Sequence, residues 1–206
     1  SVTGSMLLLQ EHYNELYENF MKAATLKGLV IHTADEAGEH EGPDYKYGWG
    51  LMNTQKAAEI ISKNQVHAFL REETLEDGNT YEFQVYSEGN SPLKVTLSWT
   101  DPQGTPTSAQ LDPRTAMLVN DLDMTVTSPS NSTYQPYFLD PENPAQAAQT
   151  GDNDVDNVEH VNISNPENGV YTIRVNHEGS LTNGKQDFSL IVSEIVASSP
   201  GSFLAS

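Results

Sequence analysis

Over the first 64 positions, apolar residues recur at intervals of three and four. Leu9, Tyr13, Leu16, Tyr17 and Phe20 share one face of an amphipathic helix, and Leu26, Leu29, Val30 and Ile31 mark a second over Ala23 to Ala34 in spite of Gly28. A glycine- and acid-rich loop from Glu36 to Asp44 leads to Tyr47-Gly48-Trp49-Gly50, and Asn53 then stands where an N-cap would open a third helix through Ile61. From Val66 the period falls to two. Tyr81, Phe83 and Val85 alternate with polar residues, as do Leu93 to Trp99, Leu122 to Val126, Val161 and Ile163, Tyr171 to Val175, and Phe188 to Val192.

Turn clusters separate these runs: Asp77-Gly78-Asn79, Glu88-Gly89-Asn90, Ser128 to Asn131, Asn165 to Gly169 and Thr182-Asn183-Gly184. Seven or eight strands with one buried face each, and no helices between them, predict an antiparallel sandwich or jelly roll. The expected fold class is α+β: helices over residues 1–64, an all-β sandwich over 65–195, and a tail or linker over 196–206, where periodicity ends. Three helices totalling about 60 residues bury little alone. Leu7, Leu8, Leu9 and the Leu26 to Ile31 run need a sheet to lie on, supplied by the strands or by a part of a longer protein upstream. The chain reads as cut from that longer protein, since it opens on Ser1-Val2-Thr3-Gly4-Ser5 and enters a helix at once.

Composition narrows the chemistry. Ten Lys and Arg against 29 Asp and Glu give a formal charge of −19, which repels phosphate backbones and anionic lipid. The absence of cysteine removes disulfides, thiolate nucleophiles and Cys-type metal sites. No apolar run approaches the roughly 18 residues of a membrane span, so a soluble chain is expected. There is no Gly-x-Ser-x-Gly elbow, zinc helix or P-loop, and the histidines at 12, 32, 40, 67, 160 and 177 lack ligand spacing and read as structural. Trp49 and Trp99 could stack sugars, although Trp99 fits the core of its strand more simply. Asn131-Ser132-Thr133 and Asn162-Ile163-Ser164 match the N-glycosylation pattern, which is common by chance.

Carboxylates carry the sharper signal. Asp140, Glu142, Asp152, Asp154, Asp156 and Glu159 follow one another without an intervening Lys or Arg, and Asp121 and Asp123 repeat the i, i+2 spacing. In extended chain that spacing sets carboxylates about 6 to 7 Å apart on one face. Their repulsion is about 0.6 kcal/mol in water and about 2.5 kcal/mol at an effective dielectric near 20. A hard divalent cation with six to eight oxygen ligands would relieve it, and calcium is the natural choice. The candidate ligands are Asp121, Asp123, Asp140, Asp152, Asp154 and Asp156. The loop is not an EF-hand, since Asn157 and Ile163 occupy the positions of its glycine and bidentate acid. A solvated acidic loop is the simpler alternative, and nothing places an aromatic cleft around a glycosidase-type acid pair.

Several segments taken in order resemble one family. Ser1-Val2-Thr3-Gly4 followed by an apolar helix is similar to the stretch just past the nucleophile of subtilisin-like serine proteases, with Val2 and Gly4 on that motif's Val and Gly. Leu26 to Ala34 resembles the family's next helix. Gly48-x-Gly50-x-Met52-Asn53-x-x-x-Ala57 resembles its Gly-x-Gly-x-Val-Asn-Ala segment, with Thr54 in place of the usual Ala. Leu118 to Asp123, Asn157-Val158-Glu159 and Gly169 to Ile173 resemble the C-terminal jelly-roll domain of bacterial alkaline subtilases, similar in architecture to the P domain of kexin and furin proteases.

The resemblance implies a parent that is a secreted bacterial endopeptidase working through a Ser-His-Asp triad and an acyl-enzyme. It places the nucleophile about five residues before Ser1 and the other triad members further upstream, so this chain holds no catalytic residue and should be inactive alone. It further implies calcium in the jelly roll, with Asp121 and Asp123 near the Asp140 and Asp152 to Asp156 loop, bracing the enzyme. The expected partners are the upstream catalytic portion and peptide substrates, with neither nucleic acid nor membrane. The alternative is a β-sandwich that binds substrate or carbohydrate without catalysis.

Overall fold

The computed structural model describes residues 1–111 and 113–195; the expected tail over 196–206 lies outside the described residues. Three helices come first: α1 (Val2–Tyr17), α2 (Ala23–His32) and α3 (Thr54–Lys63). Ten strands follow: β1 (Ala68–Glu76), β2 (Tyr81–Ser87), β3 (Leu93–Trp99), β4 (Asp121–Thr127), β5 (Thr133–Tyr134), β6 (Tyr137–Phe138), β7 (Gln149–Thr150), β8 (Val158–Ile163), β9 (Gly169–Glu178) and β10 (Lys185–Ser193). Asn53 caps α3 as its position predicts, accepting the Lys56 N–H through its side chain. The chain is therefore α+β with antiparallel sheets.

One sheet has the order β1-β10-β3-β8, a second β2-β9-β4-β5, and β6 and β7 form a two-stranded sheet. The alternation read from the sequence supplies the core between the two large sheets: Leu93, Val95, Leu97 and Trp99 of β3 meet Leu122, Met124 and Val126 of β4, with Tyr171, Ile173 and Val175 of β9 and Phe188, Leu190 and Val192 of β10. Trp99 is a core residue, and its Nε1 donates to the Asn120 carbonyl at 3.0 Å.

One buried face per strand is incomplete for β3 and β10. Their other faces are also buried, because α2 lies across them. The surface it covers is small and polar: Thr96, Ser98, Ser189 and Ser193 point toward the helix, together with Ile191. Gly28 permits the close approach, since a Cβ there would stand 3.0 Å from both Ile191 Cδ1 and Ser98 Cβ. Leu29, Ile60, Ile61, Ala68 and Ile191 form a second, smaller core at this junction. A fully buried Leu such as Leu29 contributes about 1.5 to 3 kcal/mol.

The sheet thus serves α2, while α1 packs on α3. Leu9 is 1% exposed, Tyr13 and Tyr17 pack beside it, and the Tyr17 hydroxyl donates to the Ile61 carbonyl at 2.9 Å. Leu16 and Phe20, grouped with them by spacing, remain exposed, and so does the far side of α1, where Leu7 and Leu8 are 69% and 60% exposed beside Val2.

The glycines around Trp49 serve a turn. Asp35 and Leu51 exchange two backbone hydrogen bonds of 2.8 Å, and Gly50, at φ 101°, passes so close that a Cβ would lie 2.2 Å from the Asp35 carbonyl oxygen.

Candidate functional site

The acidic residues of β4 gather at an edge that its neighbour does not cover. Strand β5 pairs only with Val126 and Thr127, so, among the described residues, positions 121–125 of β4 have a partner strand on the β9 side alone. Leu122, Met124 and Val126 point into the core, which turns Asp121 and Asp123 outward, opposite Glu178 and Asn176 of β9. Asn176 Nδ2 donates to Asp123 at 3.2 Å. From the other sheet, Glu159 of β8 reaches across, and its Oε2 accepts the Met124 N–H at 2.5 Å. The loop between β7 and β8 then brings Asp152 and Asp154 against the same edge, where Asp152 hydrogen-bonds Asp123 and the charge of Asp154 acts on Asp121.

Acids packed this way resist ionising together. Burial, then the charges of Asp154, Glu178, Asp152 and Asp101, raises the Asp121 carboxyl to about 6. Burial, then the hydrogen bond and charge of Asp152 and the charges of Asp121 and Glu178, raises Asp123 to about 7. Glu159 is fully buried and pushed well above the usual carboxylate range by desolvation and then by Asp123, the Met124 N–H opposing both. Two oxygens, Asp121 Oδ1 and Glu159 Oε1, are buried with no hydrogen-bond partner among the described residues.

Of the six carboxylates singled out by spacing, the fold assembles Asp121, Asp123, Asp152 and Asp154. Asp140 stands apart, accepting the Glu142 N–H at 2.8 Å and Asn143 Nδ2 at 2.7 Å, which hold its carboxyl below the usual range. Asp156 accepts Asn153 Nδ2 at 3.2 Å, and its charge acts on Lys27. Two further acids enter the group. Glu159 has the same parity as the inward Val161 and Ile163, so an acid at an inner strand position was a readable signal. Glu178 joins through the register of β9 with β4, which only the fold supplies.

Hard oxygen donors, two of them unsatisfied, match what calcium requires. Among the described residues, however, no three His, Asp or Glu side chains converge as closely as the ligands of an ion.

At the end of the same loop, Lys27 of α2 donates from Nζ to the carbonyl and the Oδ1 of Asn157, each at 2.7 Å, and to the Trp99 carbonyl at 3.3 Å. Burial lowers its pKa to about 8, against the pull of Asp156. Within the Leu118 to Asp123 motif, Asn120 serves the fold itself. It is buried, accepts the Thr182 N–H at 2.7 Å and donates to Gln186 at 2.8 Å.

Two histidines are buried at the α2 junction. His32 lies between Thr96 and Ser193, with 2.8 Å contacts from Nδ1 and Nε2, and Thr96 Oγ1 also lies 2.7 Å from His160 Nδ1. Burial, then the charges of His160 and Lys94, holds the His32 pKa well below the usual value, and burial lowers that of His160 to about 3. Both rings are neutral near pH 7. A hydroxyl has one proton, so Thr96 donates to one imidazole and accepts from the other, which fixes opposite tautomers.

No protein-family model matches the chain, and no curated protein does. Solved structures similar to it include Aeromonas hydrophila PliG, a periplasmic lysozyme inhibitor of g-type lysozyme, at 14% identity and a TM-score of 0.32, covering 62% of this chain and 86% of that one. Another is the Yersinia pseudotuberculosis-derived mitogen, at 11% identity and a TM-score of 0.36, covering 66% of this chain and 92% of that one. Overlap this loose carries no argument about function. Among the described residues, no helix is long and apolar enough to cross a membrane.

Proposed function

We propose that this chain is the C-terminal part of a secreted subtilisin-like serine endopeptidase, with residues 1–64 completing its catalytic domain and residues 65–195 forming a jelly roll that braces it. The observation that carries this reading is the uncovered apolar face of α1: Val2, Leu7 and Leu8 are more than half exposed although α3 packs on the same helix. A helix exposing adjacent leucines calls for a further apolar layer. The strand orders β1-β10-β3-β8 and β2-β9-β4-β5 support the jelly-roll reading, since successive long strands alternate between the two sheets.

In this reading Asp121, Asp123, Asp152 and Asp154, with Glu159 behind them, would hold calcium. The ion would supply positive charge that lets all of them ionise and ties the loop to β4. Asp140 and Asp156 stay outside the set, held by Asn143 and Asn153.

Labelling the full natural protein with a fluorophosphonate probe tests the function. One labelled serine upstream of Ser1, with none in residues 1–206, is the expected result. A label on Ser1 or Ser5, or a parent protein with no reactive serine, overturns the proposal.

A further inference from the structure

A second site lies on the opposite flank of β8. The loop from Glu36 to Gly50, strand β6 and the outer faces of β3 and β8 enclose a cavity of about 320 Å3, lined by Trp49, Tyr137, His160, Asn162, Lys94 and Glu41 among others. That volume is near the lower end for small-molecule sites, room for one ring-sized ligand.

The lining is built rather than incidental. The Tyr137 ring stacks on His160 with centroids 6.2 Å apart, and Trp49 meets the same imidazole edge-on at 5.9 Å. Gly42 makes room for Tyr137, since a Cβ there would lie 3.1 Å from its ring. Thr96 holds His160 by Nδ1, and among the described residues its Nε2 has no partner. Glu41 is already committed, accepting from Asn162 Nδ2 and from Ser164 Oγ, the latter at 3.1 Å.

Two further polar groups are unpartnered. Asn162 Oδ1 is a buried acceptor with no hydrogen bond among the described residues. Lys94 forms neither a hydrogen bond nor an ion pair among the described residues, and its pKa is lowered first by burial and then by the charge of Lys56. The cavity therefore offers a free donor and a free acceptor beside two aromatic rings. Glu36 and Glu41 disfavour an anion and Lys94 disfavours a cation, while hydroxyl groups both donate and accept and a sugar ring has a flat C–H face that packs on indole.

We propose that this cavity binds one neutral sugar ring, packed against Trp49 and hydrogen-bonded by Lys94 and Asn162. The inference stands independently of the protease reading. Thr96 and Gly42 act as positioning residues, one fixing the His160 tautomer and the other the placement of Tyr137.

The chain has only two tryptophans, and Trp99 is buried in the core, so the indole N–H resonance of Trp49 is a clean probe. Titration of the chain with glucose, galactose and N-acetylglucosamine should shift that resonance saturably for at least one sugar, with Kd on the order of 1 mM, and leave Trp99 unmoved. Lys94→Met and Asn162→Ala should each weaken binding about tenfold; Lys94→Met should leave the melting temperature unchanged, whereas Asn162→Ala should lower it slightly, since it also removes the hydrogen bond to Glu41. Sorbitol should produce no saturable shift. The proposal fails if none of the sugars moves Trp49, if sorbitol moves it equally, or if a neutral acetylated dipeptide amide saturates the site where sugars do not. The wild-type titration decides even where a variant folds poorly.

Discussion

Gly28 and His32 show how much single positions on α2 depend on the sheet beneath them. Alanine at Gly28 would gain about 1 kcal/mol of helix propensity but would press a Cβ to 3.0 Å from Ser98 Cβ, and overpacking of that kind costs about 1 to 3 kcal/mol. The expected result for Gly28→Ala is a net loss of about 1 kcal/mol in a denaturant melt, with Gly28→Val worse. For His32, the unfolded ring binds a proton below about pH 6.5 while the folded one stays neutral, so stability falls as pH drops below that point. The slope should approach about 1.4 kcal/mol per pH unit for this one group, read from chemical unfolding between pH 7 and 4. In His32→Gln that contribution to the slope should vanish. Spacing reads this histidine as structural, yet its partners Thr96 and Ser193 were illegible, because they sit on the polar face of strands whose apolar face alone carries the periodic signal.

At the scale of elements, the informative feature is the half-covered edge of β4. The i, i+2 spacing announced Asp121 and Asp123, and parity could have announced Glu159. That Asp140 would be captured by its own turn while Asp152 and Asp154 crossed to β4 depends on loop geometry that spacing does not encode. Asp121 and Asp123 titrate above their unfolded values without metal, so the stability they contribute is present below about pH 4 and is lost as pH rises through about 6 and 7. Calcium should reverse this above pH 7, and calorimetry at pH 8 should show a clear fall in melting temperature on adding EDTA. An unchanged melt, with no ion found by elemental analysis, would remove calcium from the account. Asp123→Asn gives a sharper check: metal-free stability at pH 8 should rise by about 1 kcal/mol, a figure kept small by solvent screening of a half-exposed group, while the calcium response shrinks.

For the whole molecule, the change of period near Val66 was enough to read α+β, and the alternating residues named the inter-sheet core. What stayed hidden was the docking of α2, since a helix of Leu, Val and Ile announces that it will be covered but not by what. The uncovered face of α1 yields a direct prediction. The double variant Leu7→Gln, Leu8→Gln should change the stability of the isolated chain by no more than about 0.5 kcal/mol, as expected for exposed sites, and should reduce its self-association in sedimentation. A large destabilisation would mean that those leucines already have an intramolecular partner. The Lys27 ammonium, finally, sits on the last carbonyl before β8 and so couples the helical segment to the acidic loop. Straightening or slackening of that loop would be felt at α2 through this amine, and an acylating reagent that neutralised it would release the loop from the helix while the seat of α2 on the sheet, through His32, Thr25 and Gly28, stays in place.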